Sequence, residues 1–232
     1  MLEVVILIAI PELTKAEFAT LLPKVSPEKQ ERIKQFHFFR DASNTLLGDI
    51  LARLKICCST GLSNKQLIFA TNEFGKPYLI NSPHVHYNIS HAGHYIACVT
   101  DDEPVGIDIE LIKPINLRIA ERFFTPDETA YIRGSQQMPR FYEVWTKKES
   151  RIKWEGKGLY KSLLSFSVIN PTQSEKNIVY HKVFQNNETV CHVCSSKHDK
   201  PAVQVINIAD LIWQVGRLPT SRRCNNNQFI FK

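Results

Sequence analysis

The sequence predicts a mixed α/β (α+β) protein built as two similar, pseudo-duplicated lobes, and three observations lead there. Apolar residues recur at both helical and strand spacing in each half of the chain. The elements follow a like order in the two halves, although no sequence repeat accompanies it. Between the halves lies an apolar strand, Gly106 to Leu111, whose alternate residues Asp108 and Glu110 are carboxylates. With 232 residues, 43% hydrophobic and 22% charged, the chain has an ordinary globular composition and can bury a full core. The expected division is 1–104 and 105–216, with a tail at 217–232 that is expected to be loose.

Leu2 to Ile10 reads as a core strand, closed by Pro11. Thr14 starts a short amphipathic helix that ends near Pro23, and Ser26-Pro27 starts the next, a capping serine before a first-turn proline. Ile33, Phe36, Leu47, Ile50, Leu51 and Leu54 then recur at helical spacing, so a long helix or a helix pair runs to about Cys58. Short strands are expected at 67–70 and 78–80, and a hairpin over 86–89 and 95–100 turning at Ala92-Gly93. After the central strand come helices over 117–123 and from Thr125-Pro126-Asp127-Glu128. Met138-Pro139 is expected to interrupt the pattern before a helix from about Phe141 to Glu155, ended by Gly156 and Gly158. Strands are expected at 164–169, 178–184, 189–194 and 203–208.

The apolar start carries Glu3, lacks a basic leader and is too short to span a bilayer, so neither a signal peptide nor a membrane anchor is expected. Six cysteines in a chain this long are no disulfide framework, and a cytoplasmic protein with reduced thiols is expected. The net charge of +6 and pI near 9.0 point to an anionic partner. Cations gather around Lys29–Arg40 and Lys147–Lys161, while Asp101–Glu110 is acidic, which makes a mixed site and not a uniform basic face.

Asp108 and Glu110, two apart on a strand, emerge on the same side. A fold keeps such a pair if both are solvated, if one is protonated, or if a cation lies between them. Hard oxygen donors favour Mg²⁺ or Mn²⁺ over zinc. Farther on, Trp145, Glu149 and Lys153 share one helix face, with Glu149 among six cations (Lys147, Lys148, Arg151, Lys153, Lys157, Lys161). A plain Glu-to-Lys pair over a core tryptophan accounts for that spacing. So does a third ligand for a metal bridging phosphates.

Gly106-Ile107-Asp108-Ile109-Glu110, followed by Trp145-x-x-Lys148-Glu149-Ser150-x-x-Lys153-x-x-Gly156-x-Gly158-Leu159, resembles the signature pair of the 4′-phosphopantetheinyl transferases, in their surfactin-synthetase-activating, two-lobed monomeric branch. Gly75-Lys76-Pro77, His86-Tyr87-Asn88-Ile89-Ser90-His91, Thr45-Leu46-Leu47-Gly48-Asp49, Lys113-Pro114-Ile115 and Arg122-Phe123-Phe124 extend the resemblance over about residues 1–170. The long Trp145 motif is specific; the shorter ones alone are weak.

The resemblance implies transfer of the 4′-phosphopantetheine of coenzyme A to a serine of an apo carrier protein, releasing 3′,5′-ADP. It implies Asp108, Glu110 and Glu149 as ligands of Mg²⁺, Glu149 as the base, and Lys153 on the leaving phosphate. It places Lys29, Arg32, Lys76 and His91 on the 3′-phosphate, with Thr45, Phe74, Gly75, Pro77 and Ser90 around the adenosine. The carrier would dock near Ile112–Phe124, against a monomer. Asn44 stands where arginine is frequent in the family, Phe74 replaces a common tyrosine, Ala92 a usual serine, and Arg32 a lysine.

Glu128 reads equally as a helix first-turn acid and as the family's functional glutamate. Cys191-x-x-Cys194, with His192 and His198 near, has half the spacing of a zinc site but no second pair, so strand-core thiols are expected. Rival functions are a Mg²⁺-dependent nuclease and a non-catalytic basic module binding nucleic acid or acidic partners. Carboxylates among the cations disfavour the latter, since without a metal they repel a phosphate backbone.

Overall fold

The computed structural model describes residues 1–158 and 161–217. The expectations for Leu159 and for the tail from 218 onward lie outside the described residues. Strands β1 (Glu3–Ile8), β4 (His86–Ala92), β5 (Tyr95–Asp101) and β9 (Ala202–Asn207) form one sheet in the order β4-β5-β1-β9. It is antiparallel except that β9 runs parallel to β1. A second, antiparallel sheet has the order β6 (Gly106–Leu111), β8 (Thr189–Ser195), β7 (Val179–Gln185). A small ribbon pairs β2 (Phe69–Thr71) with β3 (Pro77–Leu79). The chain thus returns at its far end, β9 adding to the sheet that β1 began.

The period of two decides what each sheet covers. In β1, Val5 and Leu7 pack with Leu46, Leu47, Ile50, Leu51 and Leu54 of the long helix α3 (Phe39–Thr60). Val4 and Ile6, on the other face, pack with Ile107 and Ile109 of β6 and Val193 of β8. Each such side chain contributes about 1.5–3 kcal/mol on full burial, so β1 is apolar at every residue between Val4 and Leu7. On β6, the same alternation sends Asp108 and Glu110 away from the first sheet. Val190, opposite Glu110 in register, packs with Phe141 and Val144 of helix α6 (Gln137–Glu155). The two carboxylates therefore lie under α6.

Gly106 makes that contact possible. A Cβ there would stand 2.0 Å from Ser150 O and 2.4 Å from Trp154 N, so the α6 backbone lies directly on the start of β6. Gly156 closes the helix in the left-handed region, at φ 69°.

The expected caps are present: Thr14 with Glu17 on α1 (Lys15–Leu21), Ser26 on α2 (Pro27–Lys34), and Thr125 with Glu128 on α5 (Pro126–Arg133). The helix pair to Cys58 is α2 and α3, and α4 (Arg118–Phe123) begins close to its expected start.

Other expectations need correcting. Pro139 does not interrupt α6; it is the third residue of the helix, where the missing N–H would have had no partner anyway. The hairpin turns at Gly93-His94, because Ala92 pairs with Tyr95. Residues 164–169 are not a strand. Leu163–Ser165 is a 3₁₀ turn, and the carbonyls of Leu163 and Phe166 accept from Lys148 Nζ, each at 2.7 Å, in place of a neighbouring strand. Ile208 ends no strand but begins α7 (Ile208–Val215), capped by Asn207 with Asp210.

Candidate active site

β6 is an end strand of its sheet, and side chains of β4 meet its outer edge. Asn88 Oδ1 accepts from Ile107 N at 2.9 Å, and Ser90 Oγ from Ile109 N at 3.4 Å. Asn88 and Ser90, two apart, present the same face to β6. Ser90 Oγ in turn donates to Asp108 Oδ1 at 2.9 Å. Lys153, in the last turn of α6, donates to Asp108 Oδ1 at 2.7 Å, Ser90 Oγ at 2.9 Å and Ile107 O at 3.0 Å. These three acceptors match the three N–H groups of an ammonium. Asp108, 4% exposed, keeps its Oδ2 buried without a hydrogen-bond partner.

Burial pushes the pKa of Asp108 up, against the opposing charge of Lys153. Burial, with the charges of Asp108 and Glu149, pushes Glu110 up to about 7, although the Trp145 side chain hydrogen-bonds its carboxylate. Burial and the Asp108 charge likewise raise Glu149. Three carboxylates thus share one field, with Lys153 the cation that opposes it. Among the described residues, no three His, Cys, Asp or Glu side chains stand close enough together to hold a metal ion. The donors are nonetheless hard oxygens, and Asp108 Oδ2 is an orphaned acceptor among them, so the residues present fit a hard divalent cation in chemistry. Gathering them on one requires Glu110 and Glu149 to close on Asp108.

The remaining expected residues fall in three places. His91, at the end of β4, is held below the usual imidazole value by burial and by the Lys153 charge. Phe74, Gly75, Lys76 and Pro77 form the turn into β3, where Lys76 Nζ donates to Val105 O and Trp154 O, each at 3.1 Å. Burial brings Lys76 down to about 8. On the α2–α3 side, Lys29 lies 3.5 Å from Asp49, Thr45 is half-buried and Arg32 is exposed. Asn44, at the family's arginine position, donates to Gly93 O at 2.8 Å and so braces the β4–β5 turn.

The six cations around Glu149 are largely paired within the fold. Lys148 is fully buried, 2.8 Å from Glu128 Oε2. Lys147 pairs with Glu143 at 2.6 Å, Arg151 with Glu155 at 2.5 Å, Lys161 with Glu155 at 2.6 Å, and Lys153 with Asp108. Of the six cations, only Lys157 is exposed. Spacing four along a helix brings cation and carboxylate together, and two of these pairs, Lys147–Glu143 and Arg151–Glu155, are of that kind. Glu128 is both the cap of α5, accepting from Thr125 N at 2.9 Å, and the partner of Lys148. Cys191 and Cys194 are buried strand thiols, and His192 Nδ1 is bonded to Thr146 Oγ1 at 2.8 Å. Sequence reasoning missed Asn88 and the Lys148–Glu128 pair. The polar alternation of Asn88 and Ser90 on an apolar strand was the available signal for the first.

The mixed α/β frame thus sets two strand carboxylates beside a helix glutamate and lysine, and sequence comparison says to which family such a chain belongs. Residues 104–209 match the 4′-phosphopantetheinyl transferase superfamily, and residues 12–103 match the 4′-phosphopantetheinyl transferase N-terminal family. Among similar proteins, the 4′-phosphopantetheinyl transferase Sfp of Bacillus subtilis is 43% identical over 159 residues, covering 67% of this chain and 71% of its own. The 4′-phosphopantetheinyl transferase gsp of Aneurinibacillus migulanus is 37% identical over 167 residues, 70% of each chain. The human L-aminoadipate-semialdehyde dehydrogenase-phosphopantetheinyl transferase is 32% identical over 163 residues, covering 63% of this chain and 53% of its own. The chain belongs to the 4′-phosphopantetheinyl transferases, in their Sfp type. Its activity is transfer of the phosphopantetheine group to carrier proteins.

Proposed function

We propose that the donor is coenzyme A, that the acceptor is a serine of an apo peptidyl or acyl carrier protein, and that 3′,5′-ADP leaves. The observation that carries the reading is the buried Asp108 held by Ser90 and Lys153, with one oxygen orphaned beside two further carboxyls. Asp108, Glu110 and Glu149 are the residues that would hold Mg²⁺. Bound there, the ion would supply charge neutralisation on the pyrophosphate of coenzyme A, whose P–O–P bond breaks as one phosphorus passes to the serine oxygen and the other leaves in 3′,5′-ADP.

The chain's own groups do the rest. Glu149, whose proton affinity is raised by burial and by Asp108, takes the proton of the incoming serine hydroxyl. Lys153 orients Asp108, and its ammonium turns to the phosphate that leaves by giving up one of its three present acceptors. Lys29, Arg32, Lys76 and His91 hold the 3′-phosphate, a group of roughly −1.5 to −2 charge. Thr45, Phe74, Gly75, Pro77 and Ser90 line the adenosine. Positioning and charge neutralisation carry the rate.

The carrier docks on a monomer near Ile112–Phe124. Supporting this, Phe123 is 37% exposed beside the Arg122 guanidinium, and Lys113 and Arg118 are exposed, while Phe124 is core. The halves 1–104 and 105–216 act as the two lobes, with β9 and α7 of the second lent to the sheet of the first. No described helix is long and apolar enough to cross a membrane.

The test is to mix purified protein with coenzyme A, Mg²⁺ and apo carrier, then weigh the carrier. A gain of one phosphopantetheine, abolished by chelation and restored by Mg²⁺, is expected. Unmodified carrier from several sources overturns the reading. Nucleic acid incubated in parallel is expected to remain intact and unbound, against the nuclease and the basic binding module.

A further inference from the structure

We propose that Lys76 is a positioning residue that fastens β6 to α6, in addition to holding a phosphate; the inference rests on the transferase reading above. The turn from Asn72 to Lys76 is closed on itself. Asn72 N donates to Lys76 O at 2.9 Å, and Asn72 Oδ1 accepts from Phe74 N at 3.0 Å and Lys76 N at 2.8 Å. Gly75 supplies the positive φ, 83°, that this tight path requires.

Three bonds leave the rigid turn for the second half of the chain. Asn72 Nδ2 donates to Gly156 O at 2.9 Å. Lys76 Nζ donates to Trp154 O and to Val105 O. Trp154 follows Lys153 and Val105 precedes Gly106, so a single ammonium joins the end of the Glu149-bearing helix to the start of the Asp108-bearing strand. The last carbonyls of a helix lack intrahelical partners and lie at its negative end, where a cation is favoured. Gly156 leaves the room: a Cβ there would stand 2.9 Å from Lys76 Cδ. Two of the three ammonium donors go to these carbonyls, which leaves a third direction for a phosphate. Phosphate capture and the register of the catalytic elements are thereby joined in one side chain.

The test separates the two roles by removing the phosphate from the substrate. Wild type, Lys76→Met and Asn72→Ala are assayed with an apo carrier and either coenzyme A or 3′-dephospho-coenzyme A, which lacks the group Lys76 would grip. Lys76→Met is expected to lower kcat about tenfold with both donors, as loss of a charged hydrogen bond at the site would, and to raise KM for coenzyme A besides. Asn72→Ala is expected to lower kcat with both donors to a smaller extent and to leave KM for coenzyme A unchanged. Hydrogen exchange over residues 152–158 is expected to quicken in both variants. Wild-type kcat of Lys76→Met on the dephospho donor, or unchanged exchange at the α6 terminus, overturns the proposal. Should Lys76→Met fail to fold, Asn72→Ala decides by the same two readouts. Should wild type modify no carrier, the transferase reading fails, and the exchange experiment still decides the fastening.

Discussion

Lys153 Nζ lies 2.7 Å from Asp108 Oδ1, and the same ammonium also holds Ser90 Oγ and Ile107 O. A buried carboxyl is driven toward its neutral form, and a resident cation opposes that. Here burial is the larger effect and Lys153 the restraint upon it. Lys153 engages Oδ1 alone; Oδ2 is buried without a partner. A second cation therefore has an oxygen to bind without displacing the first. The lysine fixes which oxygen that is.

Asp108→Ala and Glu149→Ala are each expected to lower transfer by about a hundredfold or more, the size of effect seen when a charge-organising group is removed from a site. Cys191→Ala is expected to be nearly silent in turnover, since its thiol is fully buried in the apolar layer between the sheets. Single-turnover assays on an apo carrier check all three. Near-normal rates in either acidic variant remove the carboxylate site from the mechanism.

Lys148 and Glu128 form an ion pair with neither side chain exposed. The remaining bonding capacity is used: Lys148 donates to Leu163 O and Phe166 O, and Glu128 Oε1 accepts from Val168 N at 2.8 Å. Removing one partner strands a buried charge, so Glu128→Leu and Lys148→Met should each cost about 3–5 kcal/mol in denaturant unfolding. The double variant is expected to recover much of that loss. Additive losses would mean that the pair does not act as a unit.

The parts of the fold legible in the sequence are those where a local rule and the global packing agree. Ser26-Pro27, the Thr125 capping box and the unbroken apolar run of β1 all fall where their chemistry places them. Residues 164–169 read as a strand because Leu164, Phe166 and Val168 alternate, yet their backbone is bound by Lys148 and Glu128, distant in the chain. The six cations around Glu149 stand out in the sequence because pairing partners such as Glu128 and Asp108 are invisible along one helix. Asp108, Glu149 and Lys153 were legible because the spacing rules of strand and helix suffice for them; Asn88 and the fastening by Lys76 depend on contacts between the two halves.

His192 supplies a pH dependence of stability. Burial, reinforced by the Lys147 charge, holds its pKa down to about 3. The unfolded chain takes up a proton near 6.5, the folded chain only near 3, so the unfolded state binds more protons between those values. Stability is thus full above about pH 6.5 and falls as pH drops, by about 1.4 kcal/mol per pH unit from this residue. Urea unfolding at pH 7 and pH 5 is expected to differ by roughly 2 kcal/mol from this source, and His192→Gln should flatten the difference. An unchanged slope in the variant would assign the pH dependence to other groups.

Gly106→Ala tests whether contact between backbones, and not side-chain chemistry alone, sets the site. The added methyl would meet Ser150 O at 2.0 Å and Trp154 N at 2.4 Å. Both are backbone atoms of α6, which cannot turn aside as a side-chain tip can. The helix must move off the strand, carrying Glu149 and Lys153 away from Asp108. A loss of about 1–3 kcal/mol or more is expected, together with a fall in kcat at temperatures where the variant stays folded. Gly48→Ala is the control. Its methyl would meet Ile89 Cγ2 at 3.0 Å and Ile96 Cγ2 at 3.6 Å, both side-chain carbons. Alanine also gains up to about 1 kcal/mol of helix propensity inside α3. Its melting temperature and kcat are expected to stay close to wild type. If both variants keep full turnover, the approach of α6 to β6 at Gly106 does not govern the carboxylates. If only Gly106→Ala loses it, the glycine at the head of the acidic strand is there to let the helix come down.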